Sequence, residues 1–142
     1  MMPADLDEVM AIERTSFRHP WSANFFLEEL QVACARSILA QVTGKIVGYV
    51  LFWLLPEEID IHNIAVHPQF RRQGIGQTLL RQVVEQARRR DSSRVTLEVR
   101  ISNIGAQKLY ESVGFTSQGL RKGYYSDDGE DALIMALQLG DR

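Results

Sequence analysis

The chain has 142 residues, of which 45% are apolar and 24% are charged. This length and balance predict one folded domain with a single core, and they exclude a mostly disordered chain. Sixteen basic and eighteen acidic side chains leave a net charge of -2, which disfavours a protein that binds nucleic acid backbones. The single cysteine, Cys34, excludes a disulfide framework and a zinc site built on cysteines.

No apolar run approaches the roughly 20 residues that span a bilayer. The first eight residues carry acids where a signal peptide carries bases. We therefore expect a soluble, cytoplasmic protein that binds neither a membrane nor a nucleic acid.

The first third of the chain predicts two helices. Asp5 and Glu8 have the spacing of a capping box, and an apolar stripe that includes Glu13 then predicts a helix from about Asp5 to Ser16. Ser22 is placed to cap a second, shorter helix.

The next segment predicts a hairpin that is followed by an irregular strand. Residues from Ser37 to Leu55 favour β structure, with Thr43-Gly44-Lys45 at the turn and an apolar second arm typical of a central strand. Between Glu57 and Val66 the apolar side chains change from odd to even positions. Such a phase slip predicts a β-bulge, although a strand that ends at His62 before a turn is also consistent with it.

The second half predicts two helices and three strands. Helical spacing is strongest from Ile75 to Arg90, and strict alternation follows from Arg94 to Arg100. Asn103 to Val113 is amphipathic, and Gly114 is placed to stop that helix. The closing strands are Phe115 to Arg121 and Ala132 to Leu139. This order of elements predicts a mixed α/β sheet with helices on both faces.

A glycine loop, Arg71-Arg72-Gln73-Gly74-Ile75-Gly76, connects the irregular strand to the third predicted helix. Backbone N–H groups at glycines and at a helix N-terminus suit a phosphate or pyrophosphate. The loop has neither the Gly-Lys-Ser/Thr of a P-loop nor a third glycine for a dinucleotide fingerprint. On spacing alone, a tight turn before a helix explains the two glycines equally well.

Four strings in order resemble the GNAT superfamily of acetyl-CoA-dependent N-acetyltransferases: Asn63–Pro68, Arg71–Gly76, Leu97–Arg100 and Asn103–Phe115. Gly123-Tyr124-Tyr125 and Gly129–Met135 resemble the RimI-type subfamily, which acetylates the N-terminal alanine of a small-subunit ribosomal protein. The resemblance implies one domain over residues 1–142, with the GNAT acyl-CoA N-acyltransferase fold: a central, mostly antiparallel sheet with splayed strands. It also implies a monomer or weak dimer with a protein N-terminus as its partner.

The resemblance further implies acetyl-CoA as co-substrate and assigns roles to individual residues. Backbone groups of Ile64, Ala65 and Val66 would hold the pantetheine arm, and Asn103 would reach it near the sulfur. The pyrophosphate would lie on the backbone of Arg72, Gln73, Gly74, Ile75, Gly76 and Gln77, and Arg71 would also take part in cofactor binding. Glu98 matches the general base and Tyr110 the general acid.

Each catalytic assignment has an ordinary alternative. Taken alone, Glu98 is typical of a solvated strand residue and Tyr110 of a core aromatic; only their occurrence together with the glycine loop favours catalysis. A lysine or small-amine acetyltransferase and a non-catalytic acyl-CoA-binding module remain alternative functions. His62 and His67 have no partners at ligand spacing, so we expect them to be structural or solvent-facing and expect no metal.

Two further features concern the acceptor. Acidic side chains gather at 57–60 and at 127–131, and they would attract a cationic N-terminus if the two loops meet over the site; otherwise they are solvated loops. Tyr124 and Tyr125 resemble the family's substrate-facing pair and would wall a small pocket. The chain opens almost directly into a helix, so the strand near Ser37 is expected at a sheet edge or against another chain.

Overall fold

The computed structural model describes residues 1–140, which form an α/β fold around one six-stranded sheet. The strands are β1 (Ala35–Val42), β2 (Lys45–Leu54), β3 (Glu58–Val66), β4 (Arg94–Arg100), β5 (Thr116–Arg121) and β6 (Ala132–Gln138). Their order in the sheet is β1-β2-β3-β4-β6-β5. The helices are α1 (Leu6–Ser16), α2 (Ala23–Leu30), α3 (Ile75–Arg89) and α4 (Ile104–Val113), with 3-10 turns at Pro3–Asp5 and Pro68–Phe70.

The sheet is mixed and mostly antiparallel, as predicted, because only β3 and β4 pair in parallel. Its two faces carry separate apolar cores, one under α3 and α4 and the other under α1 and α2. Alternate residues of β2 enter each core: Val50 and Phe52 face α3, whereas Tyr49 and Leu51 face α1. The apolar run of β2 is therefore that of a central strand, and β1 is the edge strand expected near Ser37.

The predicted helix caps have different outcomes. Ser22 Oγ accepts a hydrogen bond from the Phe25 amide at 3.1 Å, so the predicted cap of α2 is confirmed. The prediction of a capping box between Asp5 and Glu8 at the start of α1 is wrong. The 3-10 turn gives Asp5 an αR backbone, unsuited to a side-chain cap, and its carboxylate accepts from the Met2 amide instead. Glu8 bonds to the Ile46 amide in the sheet.

The predicted bulge lies in β3. Leu51 of β2 is opposite Asn63 while Phe52 is opposite Ile61, so His62 is the extra residue, and β3 continues to Val66 instead of ending there. The pairing of β3 with β4 stops at Ile61 and Leu97, after four residue pairs. Beyond that point the strands diverge, as the splayed strands of the expected fold do, and a gap opens between them. We call it the β3–β4 gap.

Among residues 1–140, none of the helices has both the length and the apolar character needed to cross a membrane.

Candidate active site

A cleft of about 280 Å³ opens where β3 and β4 diverge. Glu98 lines it from β4 and Ile64 from β3, while Asn103 and Tyr110 line it from the start and the interior of α4. The opposite side is formed by the α1–α2 and β5–β6 connections, through Phe17, His19, Trp21, Tyr125 and Asp127. The fold therefore brings four residues of the predicted site, from three parts of the chain, into one cleft.

The end of β3 presents free amide groups to the β3–β4 gap. The amide of His67 donates to the Val47 carbonyl of β2 at 2.7 Å. Because backbone groups of successive strand residues point to opposite edges, the amides of Ile64 and Val66 point away from β2 and into the gap. The Ala65 carbonyl lies against β2. Of the three residues expected to hold the pantetheine arm, Ile64 and Val66 are thus the ones with donors in the gap.

The glycine loop ends in an uncapped helix N-terminus. Arg72 and Gly74 both have left-handed backbones, with φ of 62° and 80°. The Thr78 amide bonds to the Gly74 carbonyl at 3.0 Å, and no side chain caps α3. The amides of Ile75, Gly76 and Gln77 therefore have no partner within the helix, which is the arrangement that binds anions at helix N-termini.

The other side chains of this loop anchor it to its neighbours. A Cβ on Gly76 would come within 3.0 Å of Leu109 Cδ2, so this glycine allows α4 to pack closely on α3. The side-chain amide of Gln77 donates through Nε2 to Ser112 Oγ of α4 at 3.1 Å. The Arg71 guanidinium donates to the Val66 carbonyl and to the end of α1. Within this loop, glycine serves backbone conformation at position 74 and helix packing at position 76.

Glu98 lies on β4 with 30% of its side chain exposed, facing the cleft. Arg121 Nε of β5 lies 3.5 Å from Glu98 Oε1. Interaction with the Glu98 carboxylate, followed by burial, raises the pKa of the Tyr124 hydroxyl to about 12. Glu98 is therefore an accessible carboxylate with a cation and a protonated phenol beside it.

Tyr110 is 7% exposed, and its ring packs against Phe115 with centroids 6.1 Å apart. Burial, followed by the neighbouring Tyr125, raises the pKa of the Tyr110 hydroxyl above its usual value, so the group is protonated at neutral pH. A protonated phenol in the cleft is suited to donate a proton.

Asn103 Oδ1 accepts from the Ala106 amide at 3.1 Å, so this side chain caps α4 as well as lining the cleft.

Glu13 is a site residue to which the sequence analysis assigned no role. It is only 1% exposed, and it lines the inner end of the cleft. Its Oε1 accepts from the Tyr49 hydroxyl and, at 2.8 Å, from Asn63 Nδ2, and its Oε2 accepts from the Trp21 amide at 2.8 Å. The sequence carried one sign of this role, a carboxylate on an otherwise apolar helix face. A buried charge needs hydrogen-bond partners, so its presence there indicates that polar groups surround it.

The two histidines of β3 and its following turn have different surroundings. The His62 ring packs against Trp53 in a tilted arrangement, with ring centroids 4.4 Å apart, and remains open to the cleft, so it is solvent-facing as expected. Burial of part of the ring lowers the pKa of His62, which leaves it neutral at pH 7. His67 Nδ1 accepts from the Gln69 amide at 3.1 Å, a structural role in the turn.

The two acidic segments do not meet over the site. Glu58 pairs with Arg94, the first residue of β4, whereas Asp127 and Asp128 pair with Arg100, its last residue. Seven strand residues separate the two groups by roughly 20 Å. The condition for joint attraction of a cationic N-terminus, that the two segments meet over the site, is therefore not met, and each segment has acidic side chains paired with an arginine at its own end of the strand.

Residues 6–115 match the Acetyltransferase (GNAT) family. A Bacillus subtilis (strain 168) relative, provisionally named a ribosomal protein bS18-alanine N-acetyltransferase, is 41% identical over 138 residues, which are 96% of this chain and 91% of the relative. The Escherichia coli (strain K12) ribosomal protein bS18-alanine N-acetyltransferase is 36% identical over 137 residues, 95% of this chain and 92% of that protein. The crystal structure of the ribosomal-protein-S18-alanine N-acetyltransferase from Escherichia coli matches with a TM-score of 0.89 at 33% identity, covering 100% of this chain and 92% of that one. The chain therefore belongs to the GNAT family of acetyltransferases.

Proposed function

We propose that the chain transfers an acetyl group from acetyl-CoA to the N-terminal α-amine of a protein, and that its acceptor is the N-terminal alanine of a small-subunit ribosomal protein. The proposed reaction is supported chiefly by one observation. Glu98, an accessible carboxylate, and Tyr110, a protonated phenol, line the same cleft. The two relatives named for this reaction support the acceptor. We propose further that residues 1–142 act as one cytoplasmic domain, as a monomer or weak dimer.

The residues present fit acetyl-CoA. The β3–β4 gap offers the amides of Ile64 and Val66 to an extended arm that carries amide groups. The start of α3 offers three uncapped amides and the positive end of a 15-residue helix to a pyrophosphate. Acetyl-CoA supplies the electrophile, a thioester carbonyl carbon, and the Val66 amide is the donor we assign to its oxygen.

The reaction requires one proton acceptor and one proton donor. The amine nitrogen forms a bond to the carbonyl carbon, the carbon–sulfur bond breaks, and the sulfur leaves as a thiolate. Glu98 takes the proton that the amine loses, directly or through water, and Tyr110 gives a proton to the thiolate. Cys34 does not line the cleft, which supports direct transfer without an acyl-enzyme.

An α-amine suits this site better than a lysine does. A terminal amine with a pKa of about 7.7 to 8.0 is roughly 10% neutral at pH 7, whereas a lysine with a pKa near 10.4 is only about 0.04% neutral. A partly exposed carboxylate such as Glu98 therefore has a usable fraction of neutral α-amine as its substrate. A lysine substrate would require stronger activation than the described cleft supplies.

Two matched peptides test the acceptor. One begins with alanine and contains no lysine; the other is blocked at its N-terminus and contains one lysine. We expect mass spectrometry to detect one added acetyl group on the first peptide only. Transfer to the second alone would favour the lysine alternative. A calorimetric signal for acetyl-CoA without transfer to either peptide would favour a binding module.

A further inference from the structure

Arg100, the last residue of β4, holds the β5–β6 connection through four of its residues. The Nη2 atom donates to Asp127 at 2.8 Å, and Nη1 donates to Asp128 at 3.0 Å and to Glu130 at 3.2 Å. The guanidinium also lies over the Tyr125 ring, 3.9 Å from its centroid. Only 23% of the Arg100 side chain is exposed. A single planar cation thus fixes three carboxylates and one aromatic ring.

His19 lies beside the same connection. His19 Nδ1 lies 3.4 Å from Asp127 Oδ2, and Nε2 lies 3.7 Å from Asp128 Oδ2. His19 belongs to the α1–α2 connection, so Asp127 links that connection to β4 through Arg100. His19, Arg100, Tyr125 and Asp127 all line the cleft.

Besides Arg100 and His19, the β5–β6 connection is held by the Ser102 amide, which donates to Glu130 Oε2 at 2.8 Å, and by the Ile101 amide, which donates to the Asp131 carbonyl at 3.1 Å. It comprises residues 122–131, none of which belongs to either apolar core. Asp127, Asp128 and Glu130 converge on one point and would repel one another without a cation between them. Among these anchors, the Arg100 guanidinium is the one that contacts both Tyr125 and the three carboxylates, so we expect the position of Tyr125 in the cleft to depend on Arg100.

We propose that Arg100 is a positioning residue for the acceptor: it holds the β5–β6 connection against the cleft, so that Tyr125 forms a fixed wall beside Glu98. This inference rests on the proposed function, which gives the cleft an acceptor to position. Arg100 contacts neither the end of β3 nor the glycine loop. Its loss should therefore weaken acceptor binding and leave acetyl-CoA binding as it is.

The test compares R100K with R94K in the full chain. Lysine keeps the charge but loses the planar fork and the flat face that lies on Tyr125. Arg94 is a matched control because it is on the same strand and donates to Glu58 at 2.9 Å, far from the cleft. For R100K we expect KM for the alanine peptide to rise about tenfold, with kcat and the Kd of acetyl-CoA within about twofold. R94K should leave all three quantities unchanged.

Hydrogen exchange provides a readout that does not need activity. In R100K, exchange should accelerate in residues 122–131 and stay unchanged in the glycine loop and β3. An unchanged KM, or unchanged exchange in 122–131, would overturn the proposal, as would a uniform rise in exchange over the whole chain.

If R100K unfolds, D128N removes one exposed anchor and should raise KM by a smaller factor; no rise would count equally against the proposal. Failure of the wild type to acetylate the peptide would refute the proposed function, while the exchange result would still test the anchoring.

Discussion

Asn63 Nδ2 donates a hydrogen bond to Glu13 Oε1 at 2.8 Å, and this bond joins the β-bulge to the first helix. Asn63 follows the extra residue of the bulge, at the point where β3 leaves β4. The other Glu13 oxygen holds the Trp21 amide, so the same carboxylate supports a wall of the cleft. A residue without a role in the proposed chemistry thus fixes both the β3–β4 gap and the α1–α2 connection.

Replacing Glu13 should destabilise the protein strongly. In Glu13→Ala the Asn63, Tyr49 and Trp21 donors lose a buried acceptor, and we expect a loss of about 3 to 5 kcal/mol in the free energy of unfolding. Glu13→Gln keeps one acceptor oxygen but turns an amide toward the Trp21 N–H, so we expect a loss of about 1 to 3 kcal/mol. Urea unfolding measures both values. Glu28→Ala, at an exposed position of α2, is the control and should stay within about 0.5 kcal/mol of the wild type. Equal midpoints for the two alanine variants would contradict the supporting role of Glu13.

Replacing Glu98 should remove the base without weakening acetyl-CoA binding. We expect Glu98→Gln to lower kcat by about 100-fold or more at pH 7, because the amide cannot accept the proton of the amine. The defect should shrink as the pH rises past 8, because the α-amine then loses its proton to solvent. Peptide acetylation rates from pH 6.5 to 9.5 measure this. Glu111→Gln, on the exposed face of α4, serves as the control. A Glu98→Gln enzyme with the wild-type rate at pH 7 would refute the assigned role.

Replacing Tyr110 by phenylalanine should remove the proton donor and keep the ring. The packing against Phe115 is retained, so we expect the unfolding midpoint to be nearly unchanged. We expect kcat to fall by about 10- to 100-fold, because the thiolate then leaves without a positioned proton. Single-turnover rates at saturating acetyl-CoA measure the chemical step. An unchanged rate at saturating acetyl-CoA, together with a weaker Kd for acetyl-CoA, would show that Tyr110 binds the cofactor and is not the acid.

Replacing Gly74 should affect both stability and acetyl-CoA binding. An added Cβ at Gly74 meets no atom within 4 Å, but the φ of +80° is unfavourable for any L-residue. We expect Gly74→Ala to lose about 1 kcal/mol of stability and to weaken acetyl-CoA binding, because relief of the strain moves the uncapped amides. Gly105→Ala is the matched control: it has equally free space and no positive φ, so it should stabilise α4 by about 0.5 to 1 kcal/mol. Thermal unfolding and acetyl-CoA titration distinguish the two variants. Equal stability changes would show that the backbone at position 74 relaxes freely.

The pair Glu58 and Asp60 should make stability depend on pH. Burial, followed by the hydrogen bond with Glu58, raises the pKa of Asp60 from 3.8 to about 6. Because the folded-state pKa exceeds the unfolded value, protonation of Asp60 favours the folded state. This contribution is fully present below about pH 4 and is lost as the pH rises through 6.

Asp60→Asn should remove that dependence, because an amide cannot ionise yet still donates to Glu58. We therefore expect the variant to gain stability relative to the wild type between pH 4 and pH 7. Urea unfolding of both proteins at pH 4.5 and pH 7.5 gives the difference. A constant difference at the two pH values would show that Asp60 does not titrate in this range.

Local sequence pattern was sufficient for the elements and for much of the site. The boundaries of α2 and of the hairpin follow from the Ser22 cap and the turn at Thr43-Gly44-Lys45, since both depend on neighbouring residues only. The bulge at His62 was visible as a change of phase because side chains alternate along a strand. The glycine loop was visible because a left-handed backbone before a helix selects glycine.

Contacts between distant residues were not predictable in this way. Glu8 fits a local capping box, yet it bonds to Ile46, 38 residues away. In the sequence, Asp127 and Asp128 are consistent with a solvated loop or with a surface that attracts a cationic substrate. In the structure they bind Arg100. In each case the competing partner reaches the carboxylate only through the strand order and register.

The sequence by itself therefore determined the order of the elements, the GNAT family resemblance and the residue types that suit acetyl transfer, because each is recorded in spacing along the chain. Only the tertiary structure decided which charges are neutralised, which amides remain free and which side chains share the cleft. The physical reason is that a charge or a backbone donor is available to a ligand only if no nearer partner occupies it. The nearest partners in this protein come from strands that are adjacent in the sheet and distant in the chain.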